Sequence, residues 1–525
     1  MTRARRAAWL GAYAIATALS FPHPVGDRVL DLGFALAWLG PALLVLGLSG
    51  LAPRAAARHA FVAGLVGHSL ILHWIYVVTV RYGHAAPVVG VLAPVALAAY
   101  IAAFVAAFGA GWRWLARRGA ANPFSAALLW TALEHLRSFA LSGFPWATLG
   151  YAQHENPALL ALAPFTGVYG LSFVTVLGGT ALAELLARAR GGARASRAAR
   201  TALASVVALH ALGLVLRAIE PDRPAETVRM AALQGNVDQG QKWDLVRLRE
   251  TLELYEDLAA QAADRGARVI VLPETALPVA LDRYTELKQR WAAFARSRGV
   301  AVVIGAVGVE GSNEDLRFYD SAFVLGPDGR FAARYDKAHL VPFGEYVPLR
   351  GLLGSLLAAV ARGIAPDSVT PGPGPRAIEL EGAGLALRAG VPICYELLFP
   401  DLIRRFVDGG ASVLLAITND AWYGRTGAPY QFLAMTALRS AETRVFTVRA
   451  ANTGVSAIID ARGRVVERTR IFERDLVLAD VPLRSPPLGG SFYTRHGDVF
   501  AWSCWAGFLA ISGVAWLRSR SKRER

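Results

Sequence analysis

The sequence predicts a multi-span α-helical membrane bundle of eight spans, joined to an α/β domain set between its seventh and eighth spans. Three observations predict it. Hydrophobic residues make up 54% of the 525-residue chain, too many for an ordinary soluble protein. Apolar runs alternate with short Arg-bearing connections as far as about Arg217. After Pro221 and Pro224 the hydrophobic period changes to short strand-like runs separated by amphipathic helices.

The spans follow in order. Residues 7–21 form a run shorter than the about 20 residues a bilayer needs, and Pro22 and Pro24 stop it. A cleaved signal peptide would account for this run alone. Spans at 29–51, 60–80, 87–115, 124–144, 158–187 and 201–216 come next, and 499–517 closes the set. Arg3, Arg5, Arg6, Arg54, Arg58, Arg113, Arg117, Arg118, Arg188, Arg190, Arg194, Arg197 and Arg200 fall on one side of these spans. Only Arg28 and Arg81 fall on the other. The positive-inside rule then puts the N-terminus in the cytoplasm and the polar domain across the membrane. The basic tail from Arg518 agrees, returning to the cytoplasm.

The fifth span carries Glu134, His135 and Arg137. Such groups cost about 2.5–3.5 kcal/mol each in lipid, so they should face other helices and pair. Glu134 and Arg137 share a helix face and read either as an ion pair holding the bundle or as part of a lipid access path. Small residues such as Gly64, Gly67, Gly178 and Gly179 suit helix packing.

The net charge of +15 invites a nucleic-acid partner, and its location excludes one. Pro221 to Val499 holds 33 basic and 33 acidic residues, so the whole surplus lies in the hydrophobic flanks. A nucleic-acid binder concentrates its charge on the folded domain. Cys394 and Cys504 cannot form a disulfide framework, and Cys504 reads as a small apolar helix residue. The scattered histidines lack ligand spacing, so no metal is expected, nor any other cofactor.

In the polar domain, "TVRMAALQGNV", "ARVIVLPE", "AVVIGAVGV", "YDSAFVLG", "RFAARYDK", "LALRAGVPIC", "SVLLAITN", "VFTVRAAN" and "GVSAIID" read as strands. Residues 245–265, 284–298 and 430–444 read as helices, and the alternation argues a layered α/β domain. "TPGPGP" (370–375) marks a loop. The apolar segment before it, 349–366, is either a packed helix or an amphipathic lid touching lipid.

Chemistry gathers where apolar runs end. Cys394 breaks the run 385–393, and a strand-to-turn junction is a common place for a nucleophile. A thiol of ordinary pKa, about 8.5, needs a base to become nucleophilic, and Glu274 after Pro273 can supply it. An oxyanion would need a fixed cation such as Lys337, aided by the Tyr395 N–H; one such donor is worth about 2.7–4 kcal/mol. Each residue alone is a weak signal. Glu274, Lys337 and Cys394 together are a strong one.

"LPETALP", "YDKAHLVPFGEYVP" and "GVPICYELLFP" resemble the Glu–Lys–Cys motifs of the nitrilase superfamily, which implies a four-layer αββα sandwich. "GFPWATLGY" (143–151), "GVYGLSF" (167–173), "LQGNVDQGQKWD" (233–244), "TNDAWYG" (418–424) and "FYTRHGD" (492–498) extend the resemblance nearly end to end, to the apolipoprotein N-acyltransferase family. The resemblance implies Glu274 as general base, Lys337 as oxyanion stabiliser and Cys394 as nucleophile. It implies Glu345 as auxiliary carboxylate, and Trp243, Tyr395 and Glu396 as residues shaping the site. One departure is Phe432, where the family pattern leads us to expect His.

The implied reaction is ping-pong. An acyl chain moves from a membrane phospholipid to Cys394, then to the α-amine of a diacylglyceryl-cysteine apolipoprotein. The implied setting is the bacterial inner membrane with a periplasmic catalytic domain, and a monomer is expected. The expected domains are 1–220 for seven spans, 221–487 for catalysis, and 488–525 for the eighth span and tail. The rivals are a membrane-tethered carbon-nitrogen hydrolase with the same triad, and a non-enzymatic membrane scaffold or transporter.

Overall fold

The bundle opens with α1 (Arg3–Leu19), the hairpin β1 (His23–Val25) and β2 (Arg28–Leu30), and the short helices α2 (Gly33–Leu36) and α3 (Leu39–Gly47). It continues through α4 (Pro53–Ile71), α5 (Pro87–Arg117), α6 (Pro123–Arg137), α7 (Pro157–Leu160), α8 (Ala163–Ala189) and α9 (Arg197–Ile219). Proline opens α4 to α7, where its missing N–H would have had no helical partner. The computed structural model describes residues 1–26, 28–189, 194–219, 226–240, 242, 245–312, 315–346, 369–483 and 490–521.

Among the described residues, five helices are long and apolar enough to cross a membrane: Pro53–Trp74, Pro87–Arg117, Ala163–Arg188, Arg197–Ile219 and Val499–Ser521. Three of the eight expected spans therefore lack such a helix. The stretch 29–51 is divided between the hairpin, α2 and α3, because apolarity alone does not show where a chain turns. α1 has 17 residues and α6 has 15, about 26 and 23 Å at helical rise, short of the about 30 Å hydrocarbon core.

Glu134 and Arg137 do not pair with each other. Arg137 donates to the carbonyls of Phe144 (3.2 Å) and Trp146 (2.6 Å) and to Thr148 Oγ1 (3.1 Å). Glu134 Oε1 accepts the Leu149 N–H at 2.8 Å. Both side chains thus satisfy the loop after their own helix. α8 breaks at Gly167 (φ 61°), where a Cβ would come within 2.6 Å of the Tyr493 ring. The Val168 N–H beside this break is accepted by Glu442 Oε1 at 2.8 Å, from the α/β domain.

That domain runs β3 (Thr227–Gln234), α10 (Leu245–Asp264), β4 (Val269–Val271), β5 (Leu277–Ala280), α11 (Thr285–Arg298), β6 (Ala301–Glu310), β7 (Arg317–Leu325) and β8 (Phe331–Asp336). It continues β9 (Ile378–Gly382), β10 (Leu385–Gly390), α12 (Pro400–Asp408), β11 (Val413–Thr418), α13 (Ala428–Thr443), β12 (Phe446–Ala451), β13 (Ala457–Ile459), β14 (Val465–Arg468) and β15 (Asp475–Pro482). α14 (Phe492–His496) and α15 (Val499–Ser521) follow. One sheet has the order β15-β3-β4-β6-β7-β8, with β5 beside β6, and the other β14-β13-β12-β11-β10-β9.

The pleat sorts the core into layers. Met230, Ala232, Val269, Val271 and Val303 join Leu414, Ala416 and Val448 of the other sheet in one buried cluster. Their neighbours Ala231, Leu233, Ile270, Val302 and Ile304 meet Tyr255, Leu258 and Trp291 of α10 and α11. α12 and α13 contact the second sheet, through β10 and β12. The result is an αββα sandwich. α13 is buried almost throughout because it also lies against α8. The segment 349–366, Trp243 and the boundaries at 221 and 487 lie outside the described residues.

Candidate active site

Three strand ends bring Glu274, Lys337 and Cys394 to one buried place. Beyond β4, Pro273 leads into Glu274, and Gly305 on β6 makes room for it. A Cβ on Gly305 would fall 2.2 Å from the Pro273 carbonyl oxygen and 2.8 Å from the Glu274 Cα. Lys337 follows β8, its N–H bonded to the Asp320 carbonyl on β7 at 2.9 Å. After β10 the chain runs to Cys394, which adopts a left-handed φ of 47° and starts the 3₁₀ turn Cys394–Leu398. A non-glycine residue in that region is strained and persists only when its surroundings hold it.

The holding group is Glu396. Its Oε2 accepts the Ile393 N–H at 2.8 Å, just before the cysteine. Its Oε1 accepts from the Tyr335 hydroxyl (2.8 Å) and the N–H groups of Ala338 (2.7 Å) and His339 (3.2 Å), just after Lys337. One carboxylate therefore ties the cysteine turn to the lysine loop. Burial pushes Glu396 up to about 7. Tyr395 beside it donates to the Gly143 carbonyl of the membrane bundle at 3.4 Å.

Lys337 is the centre of charge. Its Nζ donates to Glu274 Oε1 (3.0 Å), Asp320 Oδ2 (3.2 Å) and Glu345 Oε1 (2.5 Å), one acceptor for each ammonium proton. Oxygens of these three carboxyls lie within 4.8 Å of one another, a grouping able to hold a metal, but the ammonium occupies its focus. Burial disfavours the charged lysine, yet Glu274, Glu345 and Asp320 outweigh it and hold the pKa well above the ordinary value. Burial would raise Glu274 as well. The Lys337 charge and the hydrogen bonds from Asp320 and Lys337 instead pull it down to about 2. Cys394 is pushed far up, by burial first and then by the Glu274 charge, so its resting form is the thiol.

A second buried lysine stands at the edge of this cluster. Lys242 Nζ donates to the Glu274 carbonyl at 3.1 Å, and burial lowers its pKa to about 8 against the pull of Glu274 and Asp320. Behind the cysteine, Asp420 and Arg449 form a buried ion pair at 2.7 Å. Arg449 also lies over the Phe432 ring at 4.9 Å, and that ring stacks on Trp146 at 6.0 Å. The departure at Phe432 thus puts an aromatic face where the sequence pattern led us to expect imidazole.

The structure thus brings a carboxylate, a fixed ammonium and a thiol together in one buried place. Residues 229–485 match the carbon-nitrogen hydrolase family, and residues 13–181 match the apolipoprotein N-acyltransferase N-terminal domain. The apolipoprotein N-acyltransferase of Geobacter metallireducens is 39% identical, over 95% of this chain and 93% of that one. The chain belongs to the apolipoprotein N-acyltransferase family. Its relatives of that name include those of Azotobacter vinelandii, 35% identical over 99% of this chain and 97% of that one, and of Haemophilus ducreyi, 31% identical over 93% and 94%. A solved amidase from Nesterenkonia sp. is 19% identical with a TM-score of 0.38, covering 54% of this chain and 98% of that one.

Within this member of the family, sequence reasoning overlooked Asp320 and Lys242. Asp320 sits in mid-strand, where an alternating polar residue looks solvated; only the pairing of β7 with β8 carries it to Lys337. The signal for Lys242 was its place in "GQKWD", among residues already singled out. Glu345, Tyr395 and Glu396 all lie at the site.

Proposed function

We propose that this chain moves an acyl chain from a membrane phospholipid, through a thioester on Cys394, to the α-amine of the diacylglyceryl-cysteine of apolipoproteins. The observation that carries the reading is Lys337 bound to Glu274 beside a cysteine held in a left-handed turn, in a chain of this family. Glu274 takes the thiol proton as Sγ attacks the ester carbonyl, and Lys337 faces the oxyanion. The Tyr395 N–H is second in its turn, too early to find an acceptor within it, and is placed to join Lys337. Protonated Glu274 then gives its proton to the departing lysophospholipid oxygen, leaving the thioester. In the second half the amine attacks, Glu274 takes its proton, and the thiolate leaves and is reprotonated. Exclusion of water decides transfer over hydrolysis, and family membership favours the transferase over the tethered amidase.

The membrane assignment rests on five apolar helices and on family membership. We extend it to the bacterial inner membrane, with eight crossings, both termini cytoplasmic and a periplasmic catalytic domain. The arginine asymmetry supports this side assignment. The division into 1–220, 221–487 and 488–525 is supported by the sheets, which begin at Thr227 and end at Pro482. An alkaline phosphatase fused after Ser521 should be inactive; an active fusion would reverse the orientation.

The chemistry is tested by intact mass. Protein incubated with phospholipid should gain one acyl group on Cys394 and lose it to a diacylglyceryl-cysteine peptide. Acylation persisting in Cys394→Ala would remove the nucleophile assignment, and discharge only to water would favour the hydrolase.

A further inference from the structure

The Lys337 cluster is overloaded with acid. Three carboxyls surround one ammonium, and Lys242 is the only other buried cation that the described contacts place beside them. With all five groups ionised the site would hold two positive and three negative charges in a dry interior, where uncompensated charge is costly. One carboxyl must therefore keep its proton, and the hydrogen bonds identify which.

Glu345 accepts from Lys337 at Oε1 and from the Val341 N–H at Oε2 (2.8 Å), so both its oxygens have donors suited to an anion. Glu274 accepts from Lys337 at Oε1 (3.0 Å). Asp320 differs: Oδ2 takes an N–H of Lys337, while Oδ1 is buried with no donor. A buried carboxylate oxygen without a donor loses its solvation unrecompensed, whereas a carboxyl O–H at that position becomes a donor itself. Glu274 is the acceptor beside it: the two carboxyls share the Lys337 ammonium and have oxygens within 4.8 Å of each other.

We propose that Asp320 is a positioning residue that works in its protonated form, its O–H bonded to the Glu274 carboxylate and its other oxygen to Lys337. The cluster then balances, with Lys337 and Lys242 positive, Glu274 and Glu345 negative, and Asp320 neutral. Burial raises both Asp320 and Glu345, but Asp320 is pushed well above its ordinary value, the Glu274 charge adding to burial, whereas at Glu345 the Lys337 charge is the largest opposing pull. The bond aims Glu274, lowers its affinity for a proton at rest, and keeps it ionised until the thiol is attacked. The consequence for catalysis rests on the reading of Glu274 as base; the protonation state does not.

Two readouts independent of activity test it. The infrared difference between wild type and Asp320→Asn at pH 7 should contain a protonated-carboxyl band that Asp320→Asn lacks. Alkylation of Cys394 by iodoacetamide at pH 8 reports the charge around the thiol. Asp320→Asn removes no charge and should alkylate within about twofold of wild type, while Glu345→Gln removes one and should react about tenfold faster, one pKa unit. Acylation by phospholipid should fall about 3- to 10-fold in Asp320→Asn, because an amide N–H is a weaker donor to carboxylate than a carboxyl O–H. Absence of the band, or alkylation of Asp320→Asn as fast as Glu345→Gln, overturns the proposal. Acylation surviving in Glu274→Gln would instead remove the base reading and leave the protonation result standing.

Discussion

Replacing Glu396 with Gln changes one atom at the junction of the lysine loop and the cysteine turn. The carboxylate accepts four hydrogen bonds, three at Oε1 from Tyr335, Ala338 and His339, and one at Oε2 from Ile393. Glutamine has one carbonyl oxygen. If that oxygen serves the three donors of the lysine loop, its NH₂ faces the Ile393 N–H, donor against donor. A buried N–H left without a partner costs about 1–3 kcal/mol. That cost falls on the residue preceding Cys394, whose φ of 47° Glu396 helps to hold. At about 1.36 kcal/mol per decade, 2 kcal/mol is about 30-fold in rate, within a range of about 5- to 150-fold.

The assay is single-turnover formation of acyl-Cys394, followed by intact mass at saturating phospholipid. A second signature is pH. Burial raises Glu396 from its ordinary 4.5 to about 7 in the folded protein, so the fold favours its protonated form. That contribution to stability is present below about pH 4.5 and is lost as pH rises through about 7. The stability advantage of wild type over Glu396→Gln should therefore be larger at pH 5 than at pH 8, read as thermal midpoints in detergent. A variant acylating within twofold of wild type, with the same midpoint difference at both pH values, would refute the reasoning.

Other substitutions probe the surroundings. Arg449→Met strands Asp420, a fully buried partner at 2.7 Å, and should cost about 3–5 kcal/mol; an unchanged thermal midpoint would contradict it. Lys242→Met removes a cation that interacts with Cys394, so the thiol should alkylate about 3- to 10-fold more slowly at pH 8; an unaltered rate would show Lys242 to be electrostatically silent. Glu442→Gln keeps an oxygen for the Val168 N–H but leaves Arg439, its buried partner at 3.0 Å, without a counter-charge. Amide exchange in the part of α8 after Gly167 should quicken, and equal protection in both proteins would exclude this link between domain and bundle.

What the sequence made legible follows from where each signal lies. Glu274, Lys337 and Cys394 stand at the ends of apolar strands, where a break in hydrophobicity exposes them to reading. Asp320 lies inside β7, and its role depends on a neighbouring strand that no local pattern specifies. β15 went unrecognised for a related reason: it pairs residue by residue with β3, Asp475 opposite Gln234, across the whole domain. β9 and β14 are short strands at the ends of the second sheet, with charged residues such as Glu379, Glu381, Glu467 and Arg468. Among the helices, apolar composition located α5, α9 and α15 well, while 29–51, read as one run, is divided among β2, α2 and α3. Hydropathy measures burial cost and cannot report a turn made by tertiary contact.

The charged residues of α6 acquire a purpose from the same contacts. An acid and an arginine in an apolar bundle are costly, about 2.5–3.5 kcal/mol each, unless they satisfy groups that would otherwise be stranded. Here those groups are the backbone atoms of the loop 143–149, which cannot turn within an apolar layer without partners. The loop so held, and the residues just after it, bond to the α/β domain. Gly143 accepts from Tyr395, Trp146 Nε1 donates to Gln431 Oε1 at 2.8 Å, and Tyr151 just beyond it donates to the Leu398 carbonyl at 3.4 Å. Tyr395 and Leu398 lie within the turn that begins at Cys394. Arg137 and Glu134 therefore hold the loop against which the proposed nucleophile's turn is set. Together with the Val168–Glu442 bond, this loop is one of the places where the bundle holds the α/β domain.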